Sequence, residues 1–130
     1  MPVKPLTPFG LPPGRGYANG SMAGNLLAVA GQIGWDADGR VVSDDFVRQF
    51  DQALANVVAV VRAGGLAPRD VLSMRIYVTD KKEYAARRRE VGVAWRRHMG
   101  RHYPAMVLVE VAGLLDDHAK VEIEALAVRP

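Results

Sequence analysis

Val121-Glu122-Ile123-Glu124-Ala125-Leu126-Ala127-Val128 alternates without interruption. Glu122, Glu124, Leu126 and Val128 fall on one side of an extended chain, and Val121, Ile123, Ala125 and Ala127 on the other. A period of two is that of a strand with one buried face. The all-apolar side needs a core, and the other side carries two carboxylates. Residues 106–111 read as a second strand, with Met106, Leu108 and Glu110 on one face. Carboxylates gathered near a wall of methionine and leucine lose hydration, and their pKa values rise towards the range useful in general acid–base chemistry. The plainer reading of the same pattern is a solvated face on which the glutamates are solubilising charges. The residue pattern alone leaves both open.

Upstream of these strands, residues 82–99 read as a helix with Tyr84, Val91, Trp95 and Met99 on its inner face. Glu83 and Arg87 are spaced to pair at i,i+4, and Gly100 is placed to end it. Residues 70–79 alternate again, with Leu72, Met74, Ile76 and Val78 pointing one way. Before them lies an amphipathic helix whose apolar stripe is Phe46, Phe50, Leu54, Val57, Val58 and Val61. Asp44 and Asp45 suit its N-terminus and Gly64-Gly65 its stop. Residues 26–30 form a short strand that runs through Gly31-Gln32-Ile33-Gly34-Trp35 into a turn at residues 36–39, from which Val41-Val42 can pair back. Asn19-Gly20 is a turn signal, and the proline-rich residues 1–16 read as an extended N-terminal arm. The order strand, strand, helix, strand, helix, strand, strand predicts an α+β fold: a mixed β-sheet with two helices packed on one face. There is no internal repeat and no linker, so residues 1–130 are read as a single domain.

A chain of 130 residues can bury roughly two-thirds of the surface it exposes when unfolded, so it needs no disulfide or metal to hold a core. It has no cysteine, which excludes thiol catalysis and a thiolate zinc site. Its three histidines, His98, His102 and His118, lack partners at metal-ligand spacing, and Asp116-Asp117-His118 reads as a solvated loop, so no metal is expected. There is no phosphate-binding loop, nucleophile elbow or His-Glu-x-x-His motif. The first 13 residues lack the apolar run of a signal peptide, and no stretch approaches the roughly 20 apolar residues of a membrane span. A cytoplasmic protein without a membrane partner is expected. The net charge of +3 is concentrated at Arg87-Arg88-Arg89 and Arg96-Arg97. Without interleaved aromatics, that cluster reads as a solvated helix face and not a nucleic-acid footprint.

Taken together, Gly16-Tyr17, Ala30-Gly31-Gln32-Ile33, Gln52-Ala53-Leu54-Ala55-Asn56-Val57, Ala63-Gly64-Gly65, Val78-Thr79-Asp80 and the final strand resemble, in order and spacing, the RidA/YjgF reactive-intermediate deaminases. The resemblance covers nearly the whole chain. It implies a chorismate-mutase-like fold that assembles as a homotrimer, with its sheets facing inward and a cleft at each subunit interface. It also implies hydrolysis of enamines and imines to a carbonyl compound and ammonia, without a cofactor. An arginine in a Pro-Ala-Arg segment of that family clamps the substrate carboxylate, and the first glutamate of Glu-Ile-Glu positions the attacking water.

Carried onto this chain, the resemblance makes Glu122 the catalytic residue. Tyr17, Gly31, Ala105, Met106, Val107 and His102 become candidate substrate-binding residues. Ala30 stands where the family has serine. Pro104-Ala105 is followed by Met106 in place of arginine, which exchanges a bidentate, charge-assisted donor for dispersion alone. Arg101, His102 and Arg15 are candidate replacement cations. The other reading of His102 is a residue making local hydrogen bonds, and that of Tyr17 is packing of the arm. Gln32 is expected to satisfy backbone groups at the strand end. Hydrolytic deamination of an imine or enamine small molecule is the leading expectation. A non-catalytic small-molecule-binding or regulatory trimer is the alternative, with RNA cleavage a distant third. Trimer formation would also cover an apolar sheet face bearing Leu108, Leu126 and Val128.

Overall fold

In the computed structural model, which describes residues 2–130, the final strand Val121–Val128 (β6) lies in the interior of a six-stranded sheet. The remaining elements, in chain order, are β1 (Lys4–Leu6), β2 (Gly20–Ala23), β3 (Leu26–Ile33), α1 (Phe46–Ala63), β4 (Val71–Val78), α2 (Lys81–Ala86), α3 (Arg88–Met99) and β5 (Ala105–Glu110). Across the sheet the order is β1-β2-β3-β6-β4-β5. Among the described residues only the β4–β5 pair is parallel, and α2 and α3 supply its crossover. Helix α1 lies on β3 and β6, with α3 beside it. Val121, Ile123, Ala125 and Ala127 are buried under them, and the alternation of exposure along β6 is complete. The structure is thus the mixed α+β arrangement expected. Among the described residues no helix is long and apolar enough to cross a membrane.

Helix α1 forms as its sequence dictates. The Asp45 carboxylate caps it by accepting from the Arg48 N–H at 3.1 Å, all six residues of the apolar stripe are buried, and Gly65 leaves with φ +80°. Each buried Phe, Leu or Val side chain contributes about 1.5–3 kcal/mol relative to exposure.

Five local expectations are corrected. The helix expected over residues 82–99 is broken at Arg87 into α2 and α3. Arg87 does not pair with Glu83 but bridges Asp45 at 2.9 Å and Glu90 at 2.7 Å, because the break takes it out of i,i+4 register. Leu72 faces solvent at 56% exposure. A bulge between Val71 and Ser73 takes it out of the ladder with β6, so the core face runs Val71, Met74, Ile76, Val78.

Asn19-Gly20 is not a turn. Gly20 begins β2, where a Cβ would lie 2.4 Å from the Val60 side chain, so close packing on α1 demands glycine. The reversal falls at Gly24 (φ +59°) and Asn25 instead, and the arm contributes β1. Finally, the parallel register pairs Met106 with Met74 and Leu108 with Ile76, which turns Met106, Leu108 and Glu110 towards the helix side. Glu122 and Glu124 lie on the opposite face, with Tyr77 and Arg75 as their neighbours on β4. The wall of Met and Leu beside the glutamates does not exist within one chain. The open face carries Leu26, Leu126, Val128, Val107 and Val109, and Leu108 is not part of it.

Candidate functional site

The site begins with an irregularity in β3. Val29 pairs with Ala125 and Gln32 with Ile123, so Ala30 and Gly31 together stand opposite Glu124. Such a bulge bends the strand and re-aims its side chains. Here it carries the Gly31 backbone against the Glu122 side chain, so that a Cβ at position 31 would lie 2.9 Å from Oε2. The Ala30 N–H donates to the Asn19 carbonyl at 2.9 Å, tying the bulge to the arm. Below the bulge, buried Gln32 donates to Asn19 Oδ1 (3.2 Å) and accepts from Trp35 Nε1 (3.4 Å), while Asn19 donates to the Pro12 carbonyl (2.9 Å). Gln32 therefore satisfies side chains, where backbone groups were expected. Asn56 of α1 donates to the Ile33 and Trp35 carbonyls.

Together these bonds hold one wall of a cavity of about 590 Å³. Tyr17, Ala30, Gly31, Ile33, Trp35, Leu115, Asp116 and Glu122 line it. The 112–120 loop that carries Leu115 and Asp116 is fastened by buried Gln49. Its amide donates to the Ser43 and His118 carbonyls at 2.8 and 3.0 Å, and its oxygen accepts from the Lys120 N–H at 2.8 Å.

The two glutamates of β6 are set apart electrostatically. Glu124 accepts from the Tyr77 hydroxyl and from Arg75 Nε at 3.1 Å. The tyrosine hydrogen bond, followed by that of the arginine, outweighs desolvation and holds its carboxyl below the usual range. For Glu122, burial, and then the neighbouring Glu124 charge, push the carboxyl up. Pairs of carboxyls whose environments drive their pKa values apart are how acid–base roles are divided within one site. Among the described residues no three metal-ligating side chains converge.

Of the residues singled out in the sequence, the structure brings Tyr17, Gly31 and Glu122 together. Ala105, Met106 and Val107 lie on edge strand β5, separated from β6 by β4, and are not in the cavity. His102 spends its Nε2 on the Val71 carbonyl at 2.8 Å and does not line the cavity. Arg15 and Arg101 are exposed and do not line the cavity. Sequence reasoning missed Trp35, Leu115 and Asp116, which it assigned to turn and solvated loop. A signal was present: Gln49 and Asn56 interrupt the buried side of α1, and a buried amide there must hold backbone from another segment.

The endoribonuclease L-PSP family matches residues 11–129. A 2-iminobutanoate/2-iminopropanoate deaminase of Salmonella typhimurium is 35% identical over 116 residues, covering 87% of both chains. A RutC family protein of Pyrococcus horikoshii is 34% identical over 114 residues, covering 87% of this chain and 86% of its own. Among solved structures, the YjgF gene product of E. coli superposes with a TM-score of 0.86 at 34% identity, over 98% of this chain and 99% of its own. E. coli TdcF with bound serine gives 0.86 at 32% identity, over 98% and 99% of the two chains. This chain belongs to the endoribonuclease L-PSP family, the RidA/YjgF group that its final strand resembles.

Proposed function

We propose that this protein hydrolyses reactive imines or enamines to a carbonyl compound and ammonia, with Glu122 as the catalytic carboxylate and no cofactor. The observation that carries the reading is the setting of Glu122: desolvated, without a cationic partner among the described residues, and facing a cavity across a glycine backbone. A carboxyl with a raised pKa can take a proton from water and return it to a leaving amine. Imines are already electrophilic, so positioning and one such group are sufficient. Relatives named as deaminases of 2-imino acids support the same chemistry.

The working unit in this reading is a cytoplasmic homotrimer of the chorismate-mutase-like type. The open sheet face, with Leu26, Val107 and Val109 each more than a third exposed, favours burial between copies. Strand β5 of a neighbouring copy, with Ala105, Met106 and Val107, then completes the cleft over Glu122. Light scattering tests the assembly, and a clean monomer contradicts it. Generating imines in situ with amino-acid and amine oxidases and following ammonia release tests the chemistry. No clearance above the buffer rate across a broad panel ends the catalytic reading.

Met106 favours a second reading, a trimer that binds a small molecule without turning it over. In that case Glu122→Gln leaves ligand affinity intact and there is no turnover to lose. RNA cleavage, despite the family's description, has little support here. Arg87 and Arg97 are already paired with Asp45, Glu90 and Asp51, and phosphate-driven binding would have to weaken steeply with salt.

A further inference from the structure

The charge that this chain contributes to the cavity points to the kind of imine it takes. Two of its lining side chains, Asp116 and Glu122, are acidic, and none is a lysine, arginine or histidine. The remaining contacts come from Tyr17, Trp35, Ile33, Leu115 and the Ala30-Gly31 bulge. Among the described residues the neighbouring basic groups are engaged or do not line the cavity; Arg15, two residues before Tyr17, is exposed outside it. Arg75 is paired with Glu124. Asp116 Oδ1 accepts from the His118 N–H at 2.8 Å and lies 3.4 Å from His118 Nδ1, whose side chain is 78% exposed, and Arg40 lines a neighbouring depression that shares Asp116 with the cavity. Carboxylates beside aromatic rings make a receptor for a cation, through Coulomb attraction and the ring quadrupole. On this chain's side a carboxylate-bearing imino acid meets two like charges, and Met106, on the strand that a neighbouring copy brings over Glu122 in the trimer proposed above, adds no donor fork.

Resting on the deaminase reading for the reaction, we propose that the substrate class is the iminium ion of a primary amine that bears no carboxylate, held by Asp116 and Glu122 beside Tyr17 and Trp35. Burial without a cationic partner is what raises the Glu122 carboxyl, and a bound iminium supplies that partner. The iminium is also the more electrophilic form of the imine. As the water oxygen bonds to the iminium carbon, the C=N π electrons move to nitrogen and Glu122 accepts the water proton. Glu122 then returns that proton to the carbinolamine nitrogen. The C–N bond breaks, the hydroxyl proton leaves with the departing amine, and one iminium and one water become one carbonyl compound and one ammonium ion. Asp116 is a binding residue in this scheme and exchanges no proton.

The class of reaction that supplies such a substrate is the oxidation of an amine. The test is calorimetric titration of the full-length protein with benzylammonium, benzoate and neutral benzyl alcohol at matched ionic strength. Benzylammonium should bind at least about tenfold tighter than benzoate, the scale of a desolvated cation–aromatic contact. Asp116→Asn should remove most of that preference without changing benzyl alcohol binding. In parallel, imines made from benzylamine by an amine oxidase should be cleared faster than those made from phenylalanine by an amino-acid oxidase. Equal or tighter binding of benzoate, no binding of either ion, or an unaltered preference in Asp116→Asn overturns the proposal. Faster clearance of the phenylalanine-derived imine overturns it too, while leaving the deaminase reading standing. Benzylammonium binding with no imine cleared keeps the cation preference and removes the deaminase reading.

Discussion

Gly31 and Glu122 stand so close that the smallest side chain at position 31 would press on the glutamate carboxyl: an ideal Cβ there lies 2.9 Å from both Cδ and Oε2. Gly31→Ala meets the far end of a flexible side chain, which can swing aside. The expected result is a stability change within about 1 kcal/mol and a loss of turnover of about 100-fold, the order expected when a reacting group moves by about 1 Å. Gly34→Ala is the control. Its Cβ would meet backbone atoms of Gln49 at 2.6 Å, which cannot yield, so a stability loss of about 3 kcal/mol is expected. Thermal melts and initial rates separate the two.

Glu122→Gln should stabilise the protein at neutral pH while abolishing turnover. The folded carboxyl is raised above its unfolded value by burial, so ionising it opposes folding. That penalty is fully present above the folded pKa and absent below the unfolded one. The stability advantage of the variant should therefore fade as the pH is lowered through the carboxylate range. Denaturant titrations at several pH values check it, and a variant less stable than the parent at neutral pH would contradict the assignment.

Glu124 carries the opposite sign. Its carboxyl is lowered by the Tyr77 hydrogen bond first and by Arg75 after desolvation. It contributes stability above the unfolded pKa, and that contribution disappears as the pH falls through the folded one. Tyr77→Phe should cost about 1 kcal/mol or less at neutral pH, the worth of a half-exposed hydrogen bond to a charge, and less in acid, where the charge assistance is gone.

Gln49→Leu should cost about 2–4 kcal/mol, because it orphans the Ser43 and His118 carbonyls and the Lys120 amide together. Amide exchange at Lys120 should accelerate more than exchange in β3. A change confined to global stability, with Lys120 still protected, would show that Gln49 does not fasten the loop.

Most of the fold was legible because the strands and α1 obey simple periods: the alternation of 121–128 and the stripe from Phe46 to Val61 translate directly into burial. Position 72 was misread because a bulge shifts the phase by one residue, and a bulge leaves no composition signal in this stretch. The faces of β5 were misread for a different reason. Alternation says that Met106 and Leu108 share a side, but only the pairing partner on β4 says which side. Glu122, Gly31 and Tyr17 could be named through resemblance to a family, whereas Asp116 could not. Its place in the cavity depends on a loop held by a glutamine 67 positions earlier, a tertiary bond that no local pattern announces.

Strand β5 has one more consequence. Because it turns Met106 to the helix side and β4 separates it from β6, residue 106 can be exchanged without disturbing the surroundings of Glu122 in the same polypeptide. A methionine codon becomes an arginine codon by a single base change. On the reading proposed above, the chemistry and the taste for substrate are thus inherited separately. On that same reading, one point mutation at position 106 would shift the fold between substrates with and without a carboxylate while leaving the proposed water-activating carboxylate where it is.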